Sequence, residues 1–411
     1  MSQKTFVIAG ASLAGAKAAG ELRERGFDGR VVLIGAESER PYERPPLSKD
    51  YLQGKAERQG AYVHDEGFYV EQEIDLRLGT TVESIDPDAA TVTLAGGEEI
   101  SFDALLLTTG AHPRRLAVPG ADLDGVYYLR TFEDCDVLRE RFGAGSGRVA
   151  VVGAGWIGSE TAASARQAGL EVTVIDPLML PNERIFGTEV GEFYRDVHLS
   201  HGVRMVLGEG VDSLEGDGSV SAVRTSDGQR IECDFAVVGV GVLPRVGLAE
   251  TAGLTVENGI QVDATCRTSA ANIFAAGDVA NAWHPFYERH IRVEHWANAL
   301  NQGPAAARAM LGDDVSYDRI PYFFSDQYDV GMEYSGYATD WDEVVIRGDR
   351  EAGEFVAFWL TDGRVVGGMN VNVWDVNQHV QALIRSRRQV DRDALRDPDT
   401  PLDELAGQPA G

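Results

Sequence analysis

The sequence predicts an α/β protein with two similar βαβ units, followed by a mixed α+β region. In the first unit, the apolar runs Lys4–Gly10 and Arg30–Glu37 are typical of buried parallel strands, and Ala11–Arg25 has the composition of a helix. A later unit repeats the cycle, with the strand RVAVVG, a helix at Trp156–Ala168 and a strand at Glu171–Asp176. Two such units indicate two Rossmann-like nucleotide-binding domains.

Composition restricts the possible classes of function. The 411 residues include 37 Lys plus Arg and 65 Asp plus Glu, which gives a formal net charge of −28. A nucleic-acid-binding face needs positive charge, so we expect no nucleic acid partner and, for the same reason, no membrane partner. The apolar runs are too short to cross a bilayer, and the N-terminus lacks a signal-peptide pattern, so we expect a cytoplasmic protein.

A glycine-rich loop follows the first predicted strand. It contains Gly10, Ser12, Ala14 and Gly15, and the serine replaces the middle glycine of the GxGxxG pattern. Small residues at these positions allow a tight turn and let backbone N–H groups approach a pyrophosphate at the helix N-terminus. Glu37 ends the second strand, where a carboxylate can accept hydrogen bonds from ribose hydroxyls. Strand, loop, helix and acidic residue together predict a dinucleotide site.

The second glycine loop has the complete pattern. It contains Gly153, Gly155, Ile157 and Gly158. Asp176 closes the following strand, and a carboxylate there favours the 2′-hydroxyl of NADH over the 2′-phosphate of NADPH. Arg184 follows soon after and could assist a phosphate, so the sequence leaves the choice between the two nucleotides open.

A third element completes the set of cofactor motifs. The predicted strand Ile273–Ala276 ends in Gly277-Asp278, which puts a carboxylate at the carboxyl edge of a parallel sheet, where α/β proteins bind ligands. Taken alone, Asp278 could be a helix N-cap. Beside the N-terminal loop, it is the expected acceptor for a ribityl hydroxyl of FAD. Two dinucleotide sites and this element predict a flavoenzyme with FAD and NADH as cofactors.

The positions of glycine and proline, together with a change in composition, predict where the domains begin and end. Segments that contain Gly and Pro, where the chain is expected to pass from one domain to the next, occur at Gly110–Arg115 and within Asp234–Arg245. Aromatic, strand-like segments begin at Pro321 and precede a short helix around Asn377–Arg387. We therefore expect residues 1–110 to form the first part of the FAD-binding domain and 111–245 the NAD-binding domain. Residues 246–320 would complete the FAD-binding domain, and 321–411 would form a C-terminal α+β domain.

Several sequence runs together resemble one family. PYERPPLSK (Pro41–Lys49), AAGDVA, RVEHWANALNQGPAAARAMLG, PYFFSDQYD and NVWDVNQHVQALI are similar to segments of the NADH-dependent, FAD-containing ferredoxin reductases of oxygenase systems. This group includes the putidaredoxin, rhodocoxin and biphenyl dioxygenase types of reductase. The resemblance extends over nearly the whole chain, and it implies a glutathione-reductase-like fold with an inserted NAD domain.

The same resemblance implies roles for individual residues. Positions that contact FAD in the family are matched here by Arg44, Val82, Arg130, Asp278 and Trp296. Trp296 would begin a helix whose N-terminal dipole faces the flavin, which favours the anionic reduced form.

Two further residues are implied to lie at the reaction centre. Lys49 matches a residue beside the isoalloxazine, and Glu160 matches an acidic residue close to the nicotinamide. Phe324 stands where many relatives carry tryptophan, so any role that needs an indole N–H is in doubt there.

The expected electron acceptor is a [2Fe–2S] ferredoxin, which is usually acidic. Because the chain itself is acidic, docking requires a local basic patch. The densest candidate is Arg385, Arg387 and Arg388, and Arg289 with Arg292 could extend it. An alternative explanation is a basic helix end that complements its own dipole. We expect a monomer as the default.

The positions of the cysteines bear on the alternative functions. A disulfide oxidoreductase, or an NADH oxidase or peroxidase, needs a cysteine close to the flavin, but the three cysteines are Cys135, Cys233 and Cys266, and none follows Glu37 closely. The same count gives no CxxC pair and no predicted metal site. A rubredoxin reductase, and a flavin-bound interaction protein resembling apoptosis-inducing factor, stay open as alternatives. Cytochrome c reduction that depends on added ferredoxin would favour the ferredoxin reductase.

Overall fold

The computed structural model describes residues 3–407. The ends of the first and last predicted domains, residues 1–2 and 408–411, lie outside the described residues. The remaining chain forms two compact units. The first contains residues 3–44, 58–112 and 243–321, and the second contains residues 45–57, 113–242 and 322–407. Within residues 3–407, no helix combines the length and apolar character that a membrane span requires.

The elements are named here in chain order. The strands before the second glycine loop are β1 (Thr5–Ala9), β2 (Arg30–Ile34), β3 (Ile74–Arg77), β4 (Val82–Asp86), β5 (Thr91–Leu94), β6 (Glu99–Ser101), β7 (Ala104–Leu107), β8 (Ala111–Pro113), β9 (Val126–Tyr127) and β10 (Arg148–Val152). Those after it are β11 (Glu171–Asp176), β12 (Arg204–Leu207), β13 (Val211–Asp217), β14 (Ser219–Thr225), β15 (Arg230–Glu232), β16 (Phe235–Val238), β17 (Val242–Pro244), β18 (Ile260–Val262), β19 (Ile273–Ala275), β20 (Ala280–His284) and β21 (Arg289–Arg292).

The last strands and the helices complete the set. The strands are β22 (Tyr322–Gln327), β23 (Val330–Gly336), β24 (Glu343–Asp349), β25 (Glu354–Thr361) and β26 (Arg364–Val371). The helices are α1 (Leu13–Glu24), α2 (Phe68–Glu71), α3 (Phe132–Gly143), α4 (Trp156–Gln167), α5 (Glu183–Ser200), α6 (Gly247–Thr251), α7 (Trp296–Leu311), α8 (Asn377–Ser386), α9 (Arg392–Arg396) and α10 (Leu402–Gly407). Short 3₁₀ turns occur at Pro45–Ser48, Arg58–Ala61 and Gly277–Val279.

The first unit is built on a five-stranded parallel sheet. Its order is β19-β7-β1-β2-β3, and the apolar residues of β1, β2 and β7 are almost completely buried. Helices α1 and α7 pack so closely that a Cβ at Gly303 would lie only 2.2 Å from the carbonyl oxygen of Ala14. The parallel pairing brings the carboxyl ends of β1, β2 and β19 to one edge of the sheet.

The second unit repeats the parallel sheet and adds an antiparallel one. The parallel sheet has the order β12-β11-β10-β16-β9. The C-terminal sheet has the order β22-β23-β26-β25-β24, and all of its pairings are antiparallel. Aromatic residues of α5, including Phe186 and Tyr194, share a buried core with Trp359 and Phe355 of this sheet. The indole N–H of Trp359 donates to the carbonyl oxygen of Phe186 at 3.0 Å, next to the left-handed Gly187 that kinks α5.

One segment lies outside the unit to which the sequence assigned it. Residues 45–57 belong to the second unit, whereas the predicted boundaries place them in the first part of the FAD-binding domain. The physical reason is a set of contacts with α3 and α4. The Tyr51 hydroxyl donates to Asp136 at 2.6 Å, and the Gln53 amide donates to Ser164 at 3.0 Å.

A single arginine organises the C-terminal segment. The guanidinium of Arg347, on β24, donates to the carbonyl oxygens of Asp397 at 2.7 Å, Pro398 at 3.0 Å and Thr400 at 2.7 Å. These carbonyls belong to the turn between α9 and α10, so one side chain satisfies backbone acceptors that the turn itself leaves over.

We predict that Arg347→Met lowers the free energy of unfolding by about 2 kcal/mol, because hydrogen bonds from a charged group are lost. Residues 395–407 should also become sensitive to limited proteolysis. Urea unfolding and digestion mapped by mass spectrometry measure both effects. Arg396→Met is the matched control, since its side chain is 56% exposed and pairs with Asp393 only at 3.7 Å. Equal stability of the two variants would contradict this role for Arg347.

Candidate functional site

The first glycine loop lies at the carboxyl edge of the parallel sheet in the first unit. Gly10 has φ +126°, and a Cβ there would lie 2.1 Å from the carbonyl oxygen of Thr108, so no other residue fits. Gly15 allows α1 to approach in the same way, with a Cβ 2.1 Å from the Gly10 oxygen. Ser12 is the N-cap of α1, in extended conformation and without a side-chain capping bond, and Ala14 is buried in the first turn. The first N–H groups of α1 are therefore not capped by a side chain.

Glu37 and Arg44 lie together in the first unit. The Arg44 guanidinium is 2.8 Å from Glu37 Oε1, and the Tyr42 hydroxyl donates to the other carboxylate oxygen. The sequence predicted separate contacts of Glu37 and Arg44 with a dinucleotide but not their ion pair. Tyr42, two residues from Arg44 in the PYERPPLSK run, was missed. The pair fixes the carboxylate orientation at the end of β2.

Asp278 and Trp296 belong to the first unit, like the first glycine loop. Asp278 follows β19, and Trp296 begins α7. Asp278 sits in the turn after β19, where its carbonyl oxygen accepts from Arg292 at 3.3 Å. The N–H of the preceding Gly277 donates to the buried Gln302 at 2.8 Å, which anchors the turn to α7. Trp296 is the first residue of α7, and Val82 begins β4 and is buried. The structure thus gathers the loop after β1, the carboxylate after β2 and the carboxylate after β19 at one edge.

The second glycine loop occupies the corresponding place in the second unit. A Cβ at Gly158 would lie 1.9 Å from the Gly153 carbonyl oxygen, so Gly158 is required for packing. Gly155 differs, because a Cβ there would meet nothing within 4 Å and its backbone is extended, with φ −76°. Packing within the chain therefore does not explain the glycine at 155. The open space at Gly155, at the N-terminus of α4, leaves room for a ligand, and even a methyl group would narrow that space.

Asp176 supports this loop directly. Its Oδ2 accepts from the N–H of Ala154 at 2.6 Å and its Oδ1 from the N–H of Leu178 at 2.8 Å. The sequence predicted only a contact with a ribose, whereas the structure shows that the carboxylate also holds the loop in place. Ile157 is 40% exposed in the first turn of α4, and Arg184 is exposed in the first turn of α5.

A buried ion pair lies elsewhere in the second unit. The Lys49 ammonium is 2.9 Å from Glu160 Oε1, and the side chains are 13% and 5% exposed. Two hydroxyls also donate to this carboxylate, Ser48 to Oε2 at 2.5 Å and Ser325 to Oε1 at 2.6 Å. Sequence motifs indicated Lys49 and Glu160 separately and gave no indication of either serine. The only available signal was that each serine lies in a quoted family segment, PYERPPLSK or PYFFSDQYD.

Phe324 lies beside this pair. The Lys49 ammonium is 5.0 Å from the centre of the Phe324 ring, a distance that permits a cation–π interaction. The aromatic face expected at this position is therefore present without an indole N–H. Arg130 precedes the N-cap of α3, and its backbone N–H donates to Asp134 at 3.0 Å.

The basic residues named from the sequence fall into two groups. Arg385, Arg387 and Arg388 are exposed at the end of α8 in the second unit, and Arg289 is exposed in the first. Arg292 is only 11% exposed and pairs with Glu294, so it does not present its charge at the surface. Arg292 therefore contributes little positive charge to the predicted patch.

The three cysteines are buried thiols without disulfides. Burial raises the pKa of Cys233 to about 11 and that of Cys266 to about 12. The Cys135 thiol donates to the carbonyl oxygen of Leu47 at 3.2 Å. Thiolate chemistry is disfavoured at the two cysteines with raised pKa, since the thiolate is the reactive form.

We predict that Gly155→Ala and Gly158→Ala fail in different ways. The first should unfold within about 1 kcal/mol of the original protein but bind NADH at least tenfold more weakly, because its methyl group occupies ligand space. The second should lose about 1–3 kcal/mol of stability by overpacking. Urea unfolding and NADH titration separate the two effects. Unchanged NADH affinity in folded Gly155→Ala would contradict a ligand site at this loop.

The comparisons with known proteins agree with this architecture. The model of the pyridine nucleotide-disulphide oxidoreductase family matches residues 4–303, and the reductase C-terminal model matches residues 322–406. The ferredoxin–NAD(+) reductase component of the anthranilate 1,2-dioxygenase system of Burkholderia cepacia is 40% identical over 97% of this chain and 98% of its own. Putidaredoxin reductase of Pseudomonas putida is 36% identical over 97% of this chain and 96% of its own.

A solved structure gives the same result. The crystal structure of the covalent putidaredoxin reductase–putidaredoxin complex superimposes with a TM-score of 0.95 at 34% identity, and covers 99% of both chains. The family resemblance predicted from the motifs is confirmed, as is the fold class. The chain belongs to the pyridine nucleotide-disulphide oxidoreductase family and carries the reductase C-terminal domain of that group.

Proposed function

We propose that this protein is an FAD-dependent NADH:ferredoxin reductase that supplies electrons to an oxygenase. Proteins of this family use FAD and NAD(H). The observation that carries the proposal is full-length similarity to ferredoxin reductase components of oxygenase systems, together with the two glycine loops. FAD held here would supply the chemistry that links a two-electron donor, NADH, to a one-electron acceptor, a [2Fe–2S] ferredoxin.

The residues that would hold FAD are those that the first loop and the family resemblance indicate. They are Gly10, Ser12, Ala14, Gly15, Glu37, Arg44, Lys49, Val82, Arg130, Gly277, Asp278 and Trp296. The N-terminus of α1 offers backbone N–H groups to a pyrophosphate, and Glu37, fixed by Arg44, offers oxygen acceptors to ribose hydroxyls. The donor and acceptor types at this edge therefore fit FAD.

NADH would bind at the second loop. Gly153, Gly155 and Gly158 let its pyrophosphate approach α4, and the open space at Gly155 supports this assignment. Asp176 would accept from the adenine ribose while holding Ala154, and Ile157 would line the approach. Arg184 is exposed and would meet the outer end of the nucleotide. The carboxylate at 176 favours NADH, because it repels a 2′-phosphate.

Lys49 and Glu160 would serve the transfer step itself. Their ion pair is buried, and the two serine hydroxyls satisfy the remaining acceptor capacity of the carboxylate. A fixed ammonium and carboxylate can orient a nicotinamide and a flavin more precisely than mobile charges, and orientation is what hydride transfer chiefly requires.

The redox partner would dock on a basic patch of Arg385, Arg387 and Arg388. These residues lie at the C-terminal end of α8, where cations also complement the helix dipole. In a chain of net charge −28, such a local concentration of arginine would attract an acidic ferredoxin that the rest of the acidic surface repels. We further propose that the protein is a monomer that works in the cytoplasm, where NADH is available.

We predict that the purified protein is yellow, with flavin absorption bands at about 380 and 450 nm. NADH should bleach these bands much faster than NADPH under anaerobic conditions. Cytochrome c reduction should then depend on added ferredoxin. A colourless protein that does not take up FAD would contradict the proposed function. A yellow protein that prefers NADPH would contradict only the assignment of Asp176.

We predict that the double variant Arg387→Glu and Arg388→Glu reduces ferredoxin at least tenfold more slowly, because docking loses its attraction. Ferricyanide reduction by NADH should stay unchanged, since this small acceptor needs no docking. Arg195→Glu with Arg204→Glu changes the net charge equally on other elements and serves as the control. Equal loss of both activities in the patch variant would count against docking there.

A further inference from the structure

A continuous line of buried hydrogen bonds leads away from Glu160 within the second unit. Ser325 Oγ is 2.6 Å from Glu160 Oε1, and the Gln327 amide nitrogen is 3.3 Å from Ser325 Oγ. Beyond it, His198 Nε2 is 3.0 Å from Gln327 Oε1, and His198 Nδ1 is 3.1 Å from the Tyr328 hydroxyl. Ser325, Gln327 and His198 are each only 1% exposed. The line joins β22 to α5.

The ion pair fixes the direction of the first two hydrogen bonds. Glu160, paired with Lys49, has only acceptor oxygens, so the Ser325 hydroxyl must donate to it. That hydroxyl has one hydrogen, and therefore it can only accept from Gln327. The amide nitrogen of Gln327 consequently faces Ser325, and its oxygen faces away.

The remaining two hydrogen bonds of the line also have a fixed direction. The Gln327 oxygen accepts, so His198 must carry a hydrogen on Nε2. Burial lowers the pKa of His198 to about 4, so the imidazole is neutral and its Nδ1 accepts from the Tyr328 hydroxyl. Every hydrogen bond in the line therefore points toward Glu160.

Packing alone does not account for this arrangement. Apolar side chains of similar volume fill a core without the cost of desolvating three polar groups, and such replacements are often neutral or stabilising. Here each group instead finds a partner in the one orientation that the charged end of the line permits. A network in which each member has a matched partner fixes rotamers, since turning any member leaves a buried donor or acceptor unmatched.

We propose that His198 and Gln327 are positioning residues for NADH oxidation. They hold the Ser325 hydroxyl in the rotamer that donates to Glu160, and thereby fix the carboxylate against Lys49. Neither residue touches a reacting atom. This inference rests on the proposed function, because it assigns the Lys49–Glu160 pair to the transfer step.

The first test uses Gln327→Glu, which keeps the shape of the side chain but turns the donor toward Ser325 into an acceptor. Rapid-mixing measurements of flavin reduction over a range of NADH concentrations should show a limiting rate at least tenfold lower, with the half-saturating NADH concentration changed less than twofold. A loss of folded protein would lower the amplitude and leave the rate unchanged. Tyr328→Phe, the matched control at the far end, should stay within threefold of the original limiting rate.

The second test needs no turnover. In long-range ¹H–¹⁵N spectra of the holoenzyme, His198 should be the neutral Nε2–H tautomer at pH 6–7, and Glu160→Gln should shift its ring nitrogens, because the amide no longer fixes the direction of the line. An Nδ1–H tautomer, or spectra unaffected by Glu160→Gln, would overturn the proposal even where Gln327→Glu does not fold.

Different results would overturn the proposed function and the positioning role. An original protein that lacks flavin or does not oxidise NADH would overturn the proposed function. An active original protein whose limiting rate is matched within twofold by Gln327→Glu would leave that function standing and overturn only the positioning role.

Discussion

The buried carboxylate of Glu160 is the constraint on which the arrangement of the second unit depends. A carboxylate whose side chain is only 5% exposed must be paired, and removing one partner of such a pair commonly costs about 3–5 kcal/mol. Glu160 lies on α4, whereas its partners come from the 45–57 segment and from β22. One carboxylate therefore holds α4, a short connecting segment and the C-terminal sheet in one geometry.

Local features of the chain were predictable because their causes are local. The predicted helix Trp156–Ala168 is observed as Trp156–Gln167, and the predicted strand Glu171–Asp176 has the same bounds in the structure. Apolar runs followed by glycine define these elements within about ten residues, so neighbours alone suffice. The aromatic strands after Pro321 were equally clear, and β22, β23 and β25 occupy them.

The contacts that the sequence did not predict join residues that lie far apart along the chain. Ser48 and Glu160 are 112 positions apart, and Ser325 and Glu160 are 165 apart. No periodicity records such contacts, and a serine before Lys49 resembles any surface serine. Residues 45–57 belong to the second unit for the same reason, since side-chain contacts with the distant helices α3 and α4 hold them there. Family resemblance identified the charged members of the site but not the hydroxyls that hold them.

The three cysteines have a practical consequence. All are buried, and desolvation holds the thiols of Cys233 and Cys266 in the protonated form near neutral pH. Maleimides and other thiol reagents attack accessible thiolates. A cysteine introduced at an exposed position would therefore react far faster than the native three, so spectroscopic labels can be attached at chosen sites without first replacing them.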